Sequence, residues 1–196
     1  MGIIKQTLIK YKETTDKHDD HTYGEAYDLL FANRLMDENN ILEIGIYNGG
    51  SIQTWLECFP NSHVYGVDIT LENLKHNFDD CERCTIIESD IKKVELEKDF
   101  DIIIDDGSHY LEDVSKTFDL FYPKLKVGGI YVIEDVQEPD SWMADIRNRA
   151  NGGCNIYPMD LRYNHNTFVN GGQVNENGDY NFYDNYLIII EKHENG

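Results

Sequence analysis

The strongest constraint on the fold is a series of short, mainly apolar runs. They are Ile41–Ile46, Val64–Asp68, Cys84–Ile87, Ile102–Ile104 and Ile130–Ile133, and several end in acids. A strand with one wet face alternates apolar and polar residues, whereas a continuous run is buried on both faces. Helical spacing fills the intervals. It is seen in Tyr23, Tyr27, Leu30, Phe31 and Leu35, in Ile52, Trp55, Leu56 and Phe59, and in Leu111, Val114, Phe118, Phe121 and Leu125. Gly49-Gly50 and Gly128-Gly129 turn the chain, and Asp37–Asn40 and Pro60-Asn61 end helices. Strands alternating with helices predict a parallel sheet covered on two faces.

The pattern changes after residue 150. Ile156–Met159 reads as a short strand and Tyr186–Glu191 as a longer one. Between them, residues 161–184 are rich in Asn and Gly and show no period. A connection of that length is usually functional or mobile, and residues 161–184 are the expected acceptor-side loop, with an ordinary surface loop as the alternative. Residues 1–22 are polar and charged, and the expectation is one domain over 1–196, with an N-terminal helical segment at 1–38.

Charge narrows the function. Lys and Arg number 17 against 37 Asp and Glu, a formal charge of −20. Such a surface repels a phosphate backbone and an anionic membrane, so neither nucleic acid nor membrane is an expected partner. No apolar run reaches the roughly 20 residues a membrane helix needs, and no signal-peptide core opens the chain. Four cysteines, with only the lone Cys81/Cys84 pair at close spacing, suit a reducing, cytoplasmic setting. Oligomeric state is not readable.

Two regions carry chemistry. In the first, Leu42-Glu43-Ile44-Gly45-Ile46-Tyr47-Asn48-Gly49-Gly50-Ser51 leaves a strand and enters a helix. Glycines there let the backbone turn tightly and approach a ligand. The pattern is not Gly-x-Gly-x-x-Gly, and the acid Glu43 inside the strand would repel a pyrophosphate, which counts against a nicotinamide cofactor. Asp68 ends the second strand, where it is placed to accept from ribose hydroxyls. Asp90, after the third strand, is placed to accept from an adenine amino group. Each feature alone is also what an ordinary turn or helix cap supplies. Their order and spacing resemble the first three motifs of class I S-adenosylmethionine (SAM)-dependent methyltransferases.

In the second region, Asp105-Asp106-Gly107-Ser108-His109 and Ile133-Glu134-Asp135-Val136 fall at strand ends, where open α/β sheets place ligands. Asp106, Glu134 and Asp135 in one crevice must take up protons or bind a hard cation, Mg²⁺ by preference where substrate needs room. His109 is suited to accept a proton from a substrate hydroxyl.

These two strings resemble the metal-dependent macrolide-sugar O-methyltransferases of the mycinamicin and macrocin type, and the cephalosporin-hydroxylase-like branch. The resemblance also takes in Thr15-Asp16-Lys17, His21, Tyr23 and Tyr27, and later Asp160-Leu161-Arg162 and Asp184-Asn185. It implies a Rossmann-like, doubly wound seven-stranded sheet with an antiparallel last strand and helices on both faces. It implies Mg²⁺ on Asp106, Glu134 and Asp135, with catalysis by His109 as base and Asp106. It implies SAM held by Glu43, Gly45, Tyr47, Asn48, Gly49, Ser51, Asp68, Ile69, Asp90, Ile91 and Asp105. Acceptor contacts would fall to Tyr23, Tyr110, Arg162 and Asp184, and the acceptor would be a sugar hydroxyl of a small glycoside or glycan. Two departures lie where an acceptor is recognised. The macrolide enzymes carry a substantial extra N-terminal region, and Tyr163–Tyr183 has no match. Catechol-type methylation, an oxidoreductase or hydroxylase-like relative, and a SAM-binding module without catalysis are the competing readings.

Overall fold

The computed structural model describes residues 1–18, 21–162 and 184–193. Seven strands form one sheet: β1 (Asn40–Ile44), β2 (His63–Asp68), β3 (Cys84–Glu88), β4 (Phe100–Asp105), β5 (Leu125–Ile133), β6 (Cys154–Asp160) and β7 (Tyr186–Lys192). Their spatial order is β3-β2-β1-β4-β5-β7-β6. The first five are mutually parallel, and β7 runs antiparallel between β5 and β6. The order reverses between β1 and β4, which opens a crevice at their carboxyl ends.

Five α-helices accompany the sheet among the described residues: α1 (Ile3–Lys10), α2 (Tyr23–Phe31), α3 (Gly50–Cys58), α4 (Leu111–Phe121) and α5 (Pro139–Ala150). Each strand sends alternate side chains to opposite faces, so the sheet has two cores. One packs Ile41, Ile102 and Val132 against Tyr27, Phe31, Trp55 and Phe59 of the α1–α3 layer. The other packs Leu42, Ile103 and Tyr131 against Phe118, Phe121, Trp142 and Ile146 of the α4–α5 layer. Full burial of such side chains contributes roughly 1.5–3 kcal/mol each.

Three local differences from the sequence reading have physical causes. The helical period of Leu111–Leu125 overshoots, because Pro123 cannot continue the ladder and Leu125 already starts β5. Helix α1 buries only Ile4, Thr7 and Leu8, a stripe too short to stand out among its charged neighbours. Helix α5 buries Trp142, Met143, Ile146 and Ala150, a stripe opened by Pro139 at its first turn. No helix among the described residues is long and apolar enough to cross a membrane.

Candidate active site

At the carboxyl end of β1 the chain must turn sharply beside β4. Gly45 has φ +81°, and a Cβ there would lie 2.0 Å from the Asp106 carbonyl oxygen, so only glycine fits. Gly49, at φ +85°, closes the turn with an N–H bond to the Ile46 carbonyl and starts α3. The Asp68 carboxylate, at the end of β2, then accepts from the N–H groups of Ile46 (2.8 Å) and Tyr47 (2.9 Å). Asp90 accepts from Lys92 N–H, capping the short turn after β3.

A cavity of about 540 Å³ opens over these strand ends. That volume suits a ligand of cofactor size. Gly45, Tyr47, Ser51, Asp68, Ile69, Asp90, Ile91 and Asp105 line it, as do Asp106 and His109. Three residues of the expected cofactor set do not. Asn48 and Gly49 serve the turn itself. Glu43 is fully buried between Trp55, whose indole N–H donates to it, and Lys17. Burial pushes its carboxyl above the usual range, against the pull of Lys17.

The acids beyond β4 and β5 form a tight group. Donor atoms of Asp106, His109 and Asp135 all lie within 4.8 Å of one another. His109 Nε2 is 3.4 Å from Asp135 Oδ2 and 3.9 Å from Asp106 Oδ1. Asp106 and His109 reach the cavity wall with the buried Asp135 carboxylate behind them, and two carboxylates beside an imidazole suit a hard divalent cation that keeps open positions. Glu134 stands apart from this set. Its Oε2 accepts from Lys17 Nζ at 2.7 Å, and its Oε1 accepts from the Tyr27 hydroxyl. Both oxygens are thus drawn into the α2 side of the cluster, a contact that strand-end position alone does not reveal.

Asp135 has φ +54°, a left-handed conformation that costs a non-glycine residue about 1–3 kcal/mol. Tyr23 holds it there. The buried hydroxyl donates to Asp135 Oδ1 at 2.5 Å and accepts from Asp135 N–H at 3.3 Å. One ammonium cannot balance Glu43, Asp106, Glu134 and Asp135 together. Burial and mutual repulsion therefore push Asp106 well above the usual carboxylate range and Glu134 to about 8, with Lys17 opposing. Burial works to lower the pKa of Lys17, but the surrounding carboxylates outweigh it and raise it.

Of the four expected acceptor contacts, Tyr23 faces Asp135 rather than open space, and Arg162 is bound to Asp160. Tyr110 is exposed, and half-buried Asp184 neighbours Asp135, His21 and His109. The stretch 163–183, which makes up most of the expected acceptor loop, lies outside the described residues. Thr14, Thr15, Asp16 and Lys17 also line the cavity. The string Thr15-Asp16-Lys17 stands out in the sequence, but nothing in its spacing assigns Lys17 a role.

Residues 42–136 match the family model of a methyltransferase domain. Over this stretch the chain is similar to that family. Among curated relatives, the chain is 34% identical over 134 residues to an 8-demethyl-8-alpha-L-rhamnosyl tetracenomycin-C 2'-O-methyltransferase of Streptomyces olivaceus, covering 63% of this chain and 35% of that one. It is 35% identical over 130 residues to the demethylmacrocin O-methyltransferase of Streptomyces fradiae, covering 59% of this chain and 32% of that one. The chain therefore spans about a third of the length of these relatives. A solved structure of the mycinamycin-pathway methyltransferase MycE, in complex with Mg, SAH and mycinamycin VI, superposes with a TM-score of 0.65 at 23% identity. That match covers 98% of this chain and 55% of MycE. The fold shared with MycE thus extends well beyond residues 42–136.

Proposed function

We propose that this protein is a SAM-dependent O-methyltransferase that uses a divalent cation, Mg²⁺ by preference, to methylate a sugar hydroxyl of a glycoside. One observation carries the reading: the cavity that holds Asp68 and the Gly45 turn also holds Asp106 and His109. A cofactor and a cation-activated acceptor would therefore meet in one space. The relatives support the acceptor class, since one of them is a rhamnosyl tetracenomycin-C 2'-O-methyltransferase.

Asp68 is already oriented by two backbone N–H groups and would accept from ribose hydroxyls. Gly45 lets this turn pass against the Asp106 backbone, which a side chain would prevent. Asp106 and Asp135 would hold the cation, and Glu134 could join them only by giving up a contact with Lys17 or Tyr27. When bound, SAM supplies a methyl on a positive sulfur, and the cation stabilises negative charge developing on the acceptor oxygen. His109 would take the hydroxyl proton, and Asp135 beside it would steady the imidazolium that results. Holding the acceptor oxygen close to the methyl then supplies much of the remaining acceleration.

Transfer of labelled methyl from SAM to a panel of glycosides and catechols, with Mg²⁺ or with EDTA, tests this. Label on a sugar that disappears in EDTA is expected. Label on catechols alone would replace the sugar reading, and label unaffected by EDTA would remove the cation from it.

A further inference from the structure

This inference rests on the reading above and extends it to a residue outside the methyltransferase motifs. Lys17 is 1% exposed, and a lysine that deep needs partners. Its Nζ lies 2.6 Å from Asp106 Oδ2, 2.7 Å from Glu134 Oε2 and 3.6 Å from Glu43 Oε1. Acids from β1 and from the ends of β4 and β5 thus converge on one ammonium.

The same residue belongs to a wall of the cofactor cavity, the segment from Thr14 to Lys17. Backbone bonds from His21 N–H to the Asp16 carbonyl and from Tyr23 N–H to the Lys17 carbonyl help fasten that segment, and further contacts act at its two ends. At its start, Thr14 packs so close to α3 that a Cβ on Gly50 would lie 2.5 Å from the Thr14 carbonyl oxygen. At its end, the Lys17 ammonium adds a side-chain fastening. The contact engages Asp106 through Oδ2, while Oδ1 is the oxygen that faces His109.

We propose that Lys17 is a positioning residue: by gripping Asp106 and Glu134 it ties the cofactor wall to the cation site, so losing its ammonium weakens both. Neither ligand need touch it. The side chain acts through the carboxylate it orients and the backbone it anchors, as partners behind a ligand commonly do.

The test is binding rather than turnover, with Mn²⁺ alone followed by electron paramagnetic resonance and S-adenosylhomocysteine alone by calorimetry. Lys17→Met should weaken both by about tenfold or more. Because three acids would lose their counter-charge, the charge-balanced pair Lys17→Met with Glu43→Gln carries the test if the single variant does not fold. Glu43→Gln alone should bind both probes within about threefold of the parent, since a glutamine can still accept from Trp55. The proposal is overturned if the double variant binds both probes like the parent, if it loses only one of them, or if Glu43→Gln alone reproduces the loss. Asp135→Asn separates this from the site itself. Unchanged Mn²⁺ binding in Asp135→Asn would sink the cation site, whereas loss there with normal binding in the double variant would sink only the role of Lys17.

Discussion

The proposed cofactor half of the cavity and the acid half beside it are built by different means. In the cofactor half, a carboxylate organises nearby backbone: Asp68 takes the N–H groups of Ile46 and Tyr47, and Asp90 caps its own turn. In the acid half, side chains from the first 27 residues reach across the sheet. Lys17 meets Asp106 and Glu134, Tyr23 meets Asp135, and Tyr27 meets Glu134. Backbone contacts survive most substitutions, whereas side-chain contacts are lost one residue at a time. The acid half should therefore be the more fragile, and chemistry should fail there before cofactor binding does.

The largest break in that comparison is Asp135→Ala. It should lower methyl transfer about a thousandfold, because cation stabilisation of an oxyanion is worth several kcal/mol. S-adenosylhomocysteine affinity should stay within a few-fold, measured by calorimetry. Equal losses of turnover and cofactor affinity would show that the halves are not separable. Next comes His109→Ala, expected to cost about a hundredfold in turnover, at the lower end of what a general base contributes. Retained Mn²⁺ binding in that variant would mark the imidazole as base rather than ligand.

Asp68→Ala attacks the other half. It removes the proposed ribose acceptor and leaves the N–H groups of Ile46 and Tyr47 without their carboxylate. Charge-assisted bonds of this kind are worth about 1.5–3 kcal/mol, so cofactor affinity should fall about 10- to 100-fold. Mn²⁺ binding should hardly change. Tyr23→Phe is milder. It deletes the hydroxyl that holds Asp135 in its left-handed conformation, and should weaken Mn²⁺ by about tenfold while the fold persists.

The same contrast explains what the sequence discloses. A strand that ends in Asp68 and a turn that needs Gly45 are local facts, written in adjacent residues. The five parallel strands are legible for the same reason, since each is a continuous apolar run between turns. The acids Asp106 and Asp135 are legible as strand-end residues near His109. Their partners are not, because Lys17 lies 89 residues from Asp106 and Tyr23 lies 112 from Asp135. No local pattern separates the Tyr27 that bonds Glu134 from a tyrosine that merely fills the core. Glu43 shows the converse. As an acid in a strand it suggests a ligand contact, yet its carboxylate turns inward to Trp55 and Lys17. Helix α5 was within reach, since Pro139 and the Trp142, Met143, Ile146 and Ala150 stripe mark its start and its buried face.

Asp105 sits on the boundary between the two halves, and it gives the smallest expected effect, one on stability. Its buried carboxyl accepts from the Tyr131 hydroxyl at 3.0 Å, and burial raises its pKa from 3.8 to about 7. An acid with a raised folded pKa holds its proton more tightly in the native state than in the unfolded chain. Its contribution is therefore present in full below about pH 4 and lost progressively as pH rises to about 7. Asparagine carries no such charge and can still accept from Tyr131. The cofactor-free Asp105→Asn protein should lose melting temperature less steeply than the parent between about pH 4 and 7. The slope should flatten without vanishing, because Glu134, raised to about 8, and Asp106 keep their own shares. Thermal melts across that range decide it. A variant slope equal to the parent's would mean that Asp105 titrates alike in the folded and unfolded chains, and would remove its burial as a source of pH dependence.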